Sequence, residues 1–344
     1  MATTEYPVNH PLAVKKWARS LMKETLKMTQ AFKFMGKNAN AIVQLKSELK
    51  GEGDKVTFGL RMQMGGKGRR GDNTLEGYEE ALVTHNDYVM IDQLRHATRS
   101  KGRMSEQRVP FSVRAEGRDG LADWWSDRID TWFFNQLCGF DPGDTEYAGL
   151  NTVNSPTSDH QLFVNQDSEA SLGASDTFDL TYIDYCVEKA KTLSPLIRPV
   201  NVGGGGRKFV MFLHPYQVTD LRTNTDTGQW LDIQKAAMQG GKVTGNPIYT
   251  AALGEYHGVV LHESTRIPTP SSNVRRALFC GAQAGAMAFG RGYGQTTMEW
   301  VEELFDYKNQ LGIAAGLIGG LKKTQFNSED YGTIVVSSYA AAHT

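Results

Sequence analysis

The segment Gly51 to Asp92 constrains the fold most, because it has the pattern of a long two-stranded arm with no core of its own. In KVTFGLRMQM, Val56, Phe58, Leu60, Met62 and Met64 alternate with Lys55, Thr57, Arg61 and Gln63, the period-two signature of a strand with one buried face. The next stretch, GGKGRRGDN, places Lys67, Arg69 and Arg70 among Gly65, Gly66, Gly68 and Gly71, and the chain returns through Val83 to Ile91. A lone hairpin is marginal in water, and this loop is longer than an ordinary turn. The apolar face therefore needs a partner surface, in this chain or on another copy.

The rest of the 344 residues reads as globular protein: 40% are hydrophobic, 22% are charged, and the net charge is −1. The length suggests roughly two domains at about 150 residues each. No run reaches the length of a membrane span, and MATTEYPVNHPLAVKKW has no apolar signal block, so an intracellular protein without a membrane partner is expected. Cys138, Cys186 and Cys280 are widely spaced and read as buried thiols. Charge is uneven: residues 1–50 carry nine Lys or Arg against three acids, and the acidic excess lies after residue 110. Much of the basic excess falls on a predicted helix from Pro11 to about Phe32, where Val14, Trp17, Leu21 and Met28 form a stripe and Lys15, Lys16, Arg19, Lys23 and Lys27 occupy other sides. Such a face is either a solvated surface or a docking arm for an acidic partner or nucleic acid.

The longest helical pattern runs from Pro110 to Cys138, with Leu121, Trp125, Ile129, Trp132 and Phe133 at three-and-four spacing and Gly139 placed as a C-terminal cap. Asp141 to Ser175 is rich in turn residues and reads as an irregular separator of two lobes. A helix from Leu180 stops at Ser194-Pro195, Lys208 to Leu213 reads as a buried strand with a short helix after Pro215, and a further helix is predicted from Gln229 to Met238. GVVLHE, RALFCG, AGAMAFGRG, TTMEWVEELF, GIAAGLIGGLKKTQF and YGTIVVSSY supply further strands. The order is mixed, which argues for an α+β fold over a doubly wound sheet.

Candidates for chemistry fall away on inspection. GGKGRRG and GGGGRK do not fit a phosphate loop, and the latter precedes a strand instead of following one. His257 and His262, near Glu255 and Glu263, are five apart and face opposite sides of a strand, so they cannot share a metal. Asn224, Asp226 and Gly228 lack the glycine and glutamate that complete a calcium loop. No cofactor, metal or catalytic residue is expected.

Four segments carry a more specific likeness: NAIVQLKSELKGEGDKVTFGLRMQ, IDQLRHATRSKGRMSEQRVPFSVR, LADWWSDRIDTWFFNQLCG and LFDYKNQLGIAAGLIGGLKKTQFNSEDYGTIVV. In their order along the chain they resemble the major capsid proteins of N-four-like tailed bacteriophages. The resemblance implies an HK-ninety-seven-like capsid fold, with residues 1–50 as N-terminal arm and 51–92 as extended loop. Residues 93–176 would form a peripheral domain with a spine helix at about 110–138. Residues 177–290 would form an axial domain, and 291–344 would return as strands to the peripheral domain.

It also implies a structural role in the virion, not catalysis. Copies would assemble in the host bacterial cytoplasm into hexamers and pentamers of an icosahedral head around double-stranded DNA. Each extended loop would lie over a neighbour, burying Val56, Phe58, Leu60 and Met62 beside Arg61, with Lys67, Arg69 and Arg70 pairing with a neighbour's acids. The basic arm, through Lys15, Lys16, Arg19, Lys23 and Lys27, would face packaged DNA by sequence-independent phosphate contact. A separate scaffold protein, a portal and a decoration protein are the other implied partners. Two other readings fit the same residues: a nanocompartment shell of the same fold, and a cytosolic α+β enzyme with a dimerisation hairpin.

Overall fold

The computed structural model describes residues 29, 31–46, 53–61, 64–149, 151–202, 206–226, 229, 254–290 and 298–343. The predicted helices at Pro11 to Phe32 and Gln229 to Met238 lie outside the described residues, apart from isolated positions at their ends. Strand β1 (Val43–Lys46) is followed by the hairpin strands β2 (Lys55–Arg61) and β3 (Thr84–Met90), by β4 (Asp92–Arg99), and by the long helix α1 (Val113–Cys138). Then come β5 (Gln161–Phe163), α2 (Leu180–Thr192), β6 (Gly206–Leu213), α3 (Pro215–Thr223) and β7 (Val259–Glu263). The chain ends with β8 (Val274–Cys280), β9 (Gly285–Phe289), β10 (Met298–Phe305), β11 (Gln310–Lys323) and β12 (Thr333–Tyr339).

Two main sheets result. The first is organised on the long strand β11, which pairs antiparallel with β4, β9 and β10, while β1 runs parallel beside β9. The second has the order β5, β12, β8, β6, β7, with parallel pairs at β5–β12 and β6–β7. Helix α1 fills the space between them: Leu121, Trp125, Trp132, Phe133 and Leu137 share one core with Trp300, Ile313 and Leu317 of the first sheet and Phe212, Leu278 and Val335 of the second. The other face of the second sheet is covered by α2 and α3, where Ile183, Val187 and Leu221 meet Phe209, Met211, Phe279, Ile334 and Val336. Strand β6 is therefore buried on both faces, the reason its sequence KFVMFL is a continuous apolar run instead of an alternation.

Helix α1 begins at Val113, three residues after the predicted start at Pro110, because Ser112 takes the N-cap position and its Oγ accepts from the Ala115 amide at 3.5 Å. It ends as predicted on Gly139, whose φ of 62° is left-handed. The sheets cut across the predicted domain ranges. Strand β9 falls within 177–290 yet pairs with β11 of the first sheet, and β12 falls within 291–344 yet pairs with β8 of the second. Only β10 and β11 of the C-terminal strands return to the sheet that contains β4. Pairing follows which faces can be buried, and chain order does not reveal that.

The stretch from Asp141 to Ser175 is mostly irregular, but it is no spacer. Asn151 places its side-chain amide against the Met90 backbone, with Oδ1 accepting from the amide at 2.8 Å and Nδ2 donating to the carbonyl at 2.8 Å. Glu169 accepts from Arg276 of β8 at 2.6 and 2.8 Å and from Ser337 of β12 at 2.6 Å. Arg276 also donates to the Cys138 and Gly139 carbonyls at 3.2 and 2.8 Å, meeting the negative end of α1.

Burial would raise the Glu169 carboxyl, but the hydrogen bonds from Arg276 and Ser337 outweigh it and hold it below the ordinary value of 4.5. Glu169 thus contributes stability that is present above the unfolded value and lost as pH falls through the folded one. Denaturant titrations are expected to show stability falling below about pH 4.5, and Glu169→Gln should flatten that acid limb; an unchanged limb would refute the assignment. Close packing gives a second expectation: a Cβ on Gly320 would stand 2.0 Å from the Met90 carbonyl oxygen. Gly320→Ala should cost the subunit about 3 kcal/mol, read as a lowered thermal midpoint, and a variant as stable as the parent would contradict this contact.

Candidate intersubunit surface

The hairpin pairs Lys55 with Met90, Phe58 with Asp87 and Arg61 with Thr84. The alternation read from the sequence is present: Val56, Phe58 and Leu60 are half-buried, while Lys55, Thr57 and Arg61 are exposed. Its partner surface at the root is in the same chain, however. Val56, Phe58 and Ile91 pack with Val89, Ala286 and Ala288, and the Phe58 ring lies edge-on to Phe326 with centroids 6.2 Å apart. The Lys46 ammonium sits 4.4 Å over the Phe58 ring, and burial lowers its pKa. Behind them, buried Asp87 pairs with Lys322 and accepts from the Gln325 amide at 3.0 Å. The root is therefore part of the subunit, which corrects the expectation of an arm without a core.

The tip is different. Beyond Arg61 the described residues 64–83 form no strand and are exposed. They nevertheless have a defined shape: Glu80 accepts from the Gly65 and Gly66 amides at 2.8 and 2.7 Å, and these bonds, Gly65 first, lower its pKa. Glu79 accepts from the Gly77 amide at 2.7 Å, Asn73 donates to the Arg70 carbonyl at 2.6 Å, and the Arg69 guanidinium lies 3.2 Å over the Tyr78 ring. Gly71 and Gly77 adopt φ of 64° and 85°, positions that a side chain would strain.

On this frame Met64, Leu75, Tyr78, Leu82 and Val83 are each more than half exposed. Of the residues singled out in the sequence, Val56 and Phe58 face the subunit's own core and Leu60 lies beside them. Arg61 points outward, and Arg69 is stacked within the tip. Lys67 and Arg70 form no ion pair among the described residues, and Met62, Lys15, Lys16, Arg19, Lys23 and Lys27 lie outside them. Leu75, Leu82 and Tyr78 were missed by the sequence reading; the available signal was apolar residues scattered in a polar, glycine-bearing stretch.

The other polar groups singled out in the sequence make contacts within the subunit. Among the described residues no group of three or more His, Cys, Asp or Glu is placed to hold a metal ion, and no helix is long and apolar enough to cross a membrane. His257 pairs with Asp184 at 2.7 Å, His262 stacks on Phe212, and Asn224 accepts from the Asp226 amide in a turn. Cys138, Cys186 and Cys280 are free and buried, with burial pushing the Cys138 thiol up to about 12.

The fold is therefore two sheets spanned by a long helix, with a hairpin that is packed at its root and carries exposed apolar and charged residues at its tip. The family model described as phage capsid protein matches residues 5–342. A major capsid protein of Pseudomonas phage KPP25 is 31% identical, over 90% of each chain. The capsid of Ralstonia phage GP4 matches over the full length of both chains at 33% identity, with a TM-score of 0.78. The capsid of cyanophage Pam1 has the same fold at 19% identity, with a TM-score of 0.72 over 100% of this chain and 95% of that one. The chain belongs to the phage capsid protein family, a family of structural proteins of the virion, and its mixed fold is the HK-ninety-seven-like capsid fold.

The tip geometry generates its own test. Glu80→Gln should speed hydrogen exchange at Gly65 and Gly66 while leaving the thermal midpoint of the subunit unchanged, because a fully exposed carboxylate orders the tip alone. Unaltered exchange at both amides would show that Glu80 does not organise it.

Proposed function

We propose that this capsid subunit uses the tip of its hairpin as a clasp on a neighbouring copy. The chain is a major capsid protein of tailed-phage type, and its copies build an icosahedral capsid. The observation that carries the clasp reading is the contrast along one hairpin: Val56 and Phe58 at the root are packed on their own subunit, while Leu75, Tyr78 and Leu82 at the tip have a defined scaffold and no such cover. Apolar groups held in shape but exposed gain most from burial against a partner.

In this reading residues 1–50 are an N-terminal arm and 51–92 the extended loop. The sheet built on β11 is the peripheral unit and the sheet containing β6, β8 and β12 is the axial unit. Copies group as hexamers and pentamers, and each weak contact gains strength by repetition. The basic residues Lys15, Lys16, Arg19, Lys23 and Lys27 face packaged double-stranded DNA, to which they bind through phosphates regardless of base sequence. Assembly occurs in the host cytoplasm with a separate scaffold protein, a portal and a decoration protein as further partners.

Leu75→Asp and Leu82→Asp should each leave a folded subunit with an unchanged thermal midpoint but cut the yield of closed shells, counted by electron microscopy, at least tenfold. Normal shell yield from both variants would overturn the clasp. Phe58→Asp is a poorer probe, because it strikes the subunit's own core.

A further inference from the structure

We propose that the pocket around Lys46, between β1 and the root of the hairpin, is a binding site for a single carboxylate group. The site is separate from the hairpin tip and stands whether or not the tip is a clasp. Lys46 is the last residue of β1 and lies opposite Ala288 of β9, with Gln44 two residues earlier on the same face. The pocket they share with Phe58, Gln283, Thr324 and Phe326 encloses about 50 Å³.

Among the described residues the Lys46 ammonium has no acidic partner. Its contacts are a 2.5 Å donation to Gln44 Oε1 and the Phe58 ring, whose centroid is 4.4 Å away, and neither carries a full negative charge. An ammonium has three N–H donors, so two are left to be met. Asp87, the buried acid of the hairpin root, is already held by Lys322 and the Gln325 amide. Burial lowers the Lys46 pKa, as it does for a cation that no opposite charge offsets. A buried charge is costly until it is paired, and here the pairing is left to a ligand.

The shape of the pocket limits the ligand. Its volume of about 50 Å³ is roughly that of two waters at about 30 Å³ each, room for a carboxylate group but too little for a phosphate ester. Phe58 and Phe326, edge-on with centroids 6.2 Å apart, give apolar walls that suit the carbon stem of an acidic side chain. Gln283 fixes the polar side. Its φ of 60° is left-handed, uncommon for a residue with a side chain, and its amide donates to the Ala41 carbonyl at 2.8 Å. Backbone strain of this kind concentrates at ligand sites. The Gln283 side-chain amide donates to Gln44 Oε1 at 3.2 Å, so one oxygen accepts from both Gln283 and Lys46 and keeps the ammonium at the pocket. The carboxylate has two sources, a small free anion or an acidic side chain of a second copy.

Acetylation of Lys46 by an activated ester, read by mass spectrometry on the full-length chain, separates the two. A bound carboxylate raises the lysine pKa, and each unit removes about tenfold of the reactive free amine at neutral pH. A fall of that size is expected either in the free subunit when formate replaces toluenesulfonate at constant ionic strength, or in assembled shells kept in toluenesulfonate. The first result assigns a free anion, the second a neighbour's acidic side chain. In either case the pH profile of acetylation must shift upward, because mere coverage slows the reaction without moving the profile. Unchanged profiles in both arms would overturn the site. Lys46→Met keeps much of the side chain's volume and removes the unpaired charge, so it should raise the thermal midpoint of the free subunit in toluenesulfonate. A lowered midpoint would show that the subunit alone satisfies Lys46, and would refute the proposal.

Discussion

The architecture depends on Arg276. Its guanidinium donates to the last carbonyls of the long helix at Cys138 and Gly139 and forms a two-pronged pair with Glu169, which in turn accepts from Ser337. Arg276 and Ser337 face each other across β8 and β12. One side chain thus joins the end of the helix, two strands of the second sheet and the irregular loop after the helix. A planar, five-donor group suits such a junction, and lysine could not reproduce the two-pronged geometry. The pair is only partly exposed, at 11% and 23% of the side chains, so its loss would leave a desolvated charge unpartnered and cost more than an ordinary surface pair.

From that junction the helix runs back across both sheets, and the hairpin leaves from the far side of the first. A second buried polar group secures this exit. Lys323 and Asp330 are almost fully buried and paired at 2.8 Å; Asp330 also accepts from Gln325 at 2.7 Å, and Asn154 donates to Gln325 at 2.6 Å. Burial lowers the Lys323 pKa and Asp330 opposes that. Paired buried charges are weak evidence for stability but restrict alternatives, and here they define how the end of β11 meets the hairpin root.

The sequence made the elements legible where local chemistry is strong. Gly139 marks the end of the long helix, the alternation from Lys55 to Arg61 marks a strand, and the continuous apolar run before His214 marks a buried one. It hid whatever depends on distant pairing. Strand β4, with its polar sequence DQLRHATR, has seven of eight positions exposed or nearly so outside its contact with β11, so periodicity could not reveal it. Strand β5 has three residues and exists because β12 runs beside it. The candidate site is legible only as a hairpin with a charged, glycine-bearing tip: nothing in the sequence places Ala286, Ala288 and Phe326 beneath Phe58, or the Arg69 guanidinium over the Tyr78 ring.

In the clasp we propose, the hairpin reconciles two demands that a shell subunit faces together. A clasp must be aimed, and buried Asp87 does this by pairing with Lys322 and accepting from the Gln325 amide, which ties β3 to the end of β11. A clasp must also tolerate small differences in angle between neighbours, which a rigid sheet could not. Strand pairing stops at Arg61 and Thr84, and beyond it the tip relies on bonds from Glu79, Glu80 and Asn73 to exposed backbone, contacts that solvent can replace at little cost. In that reading stiffness is concentrated at the root, where direction is set, and compliance at the tip, where a second copy would be met.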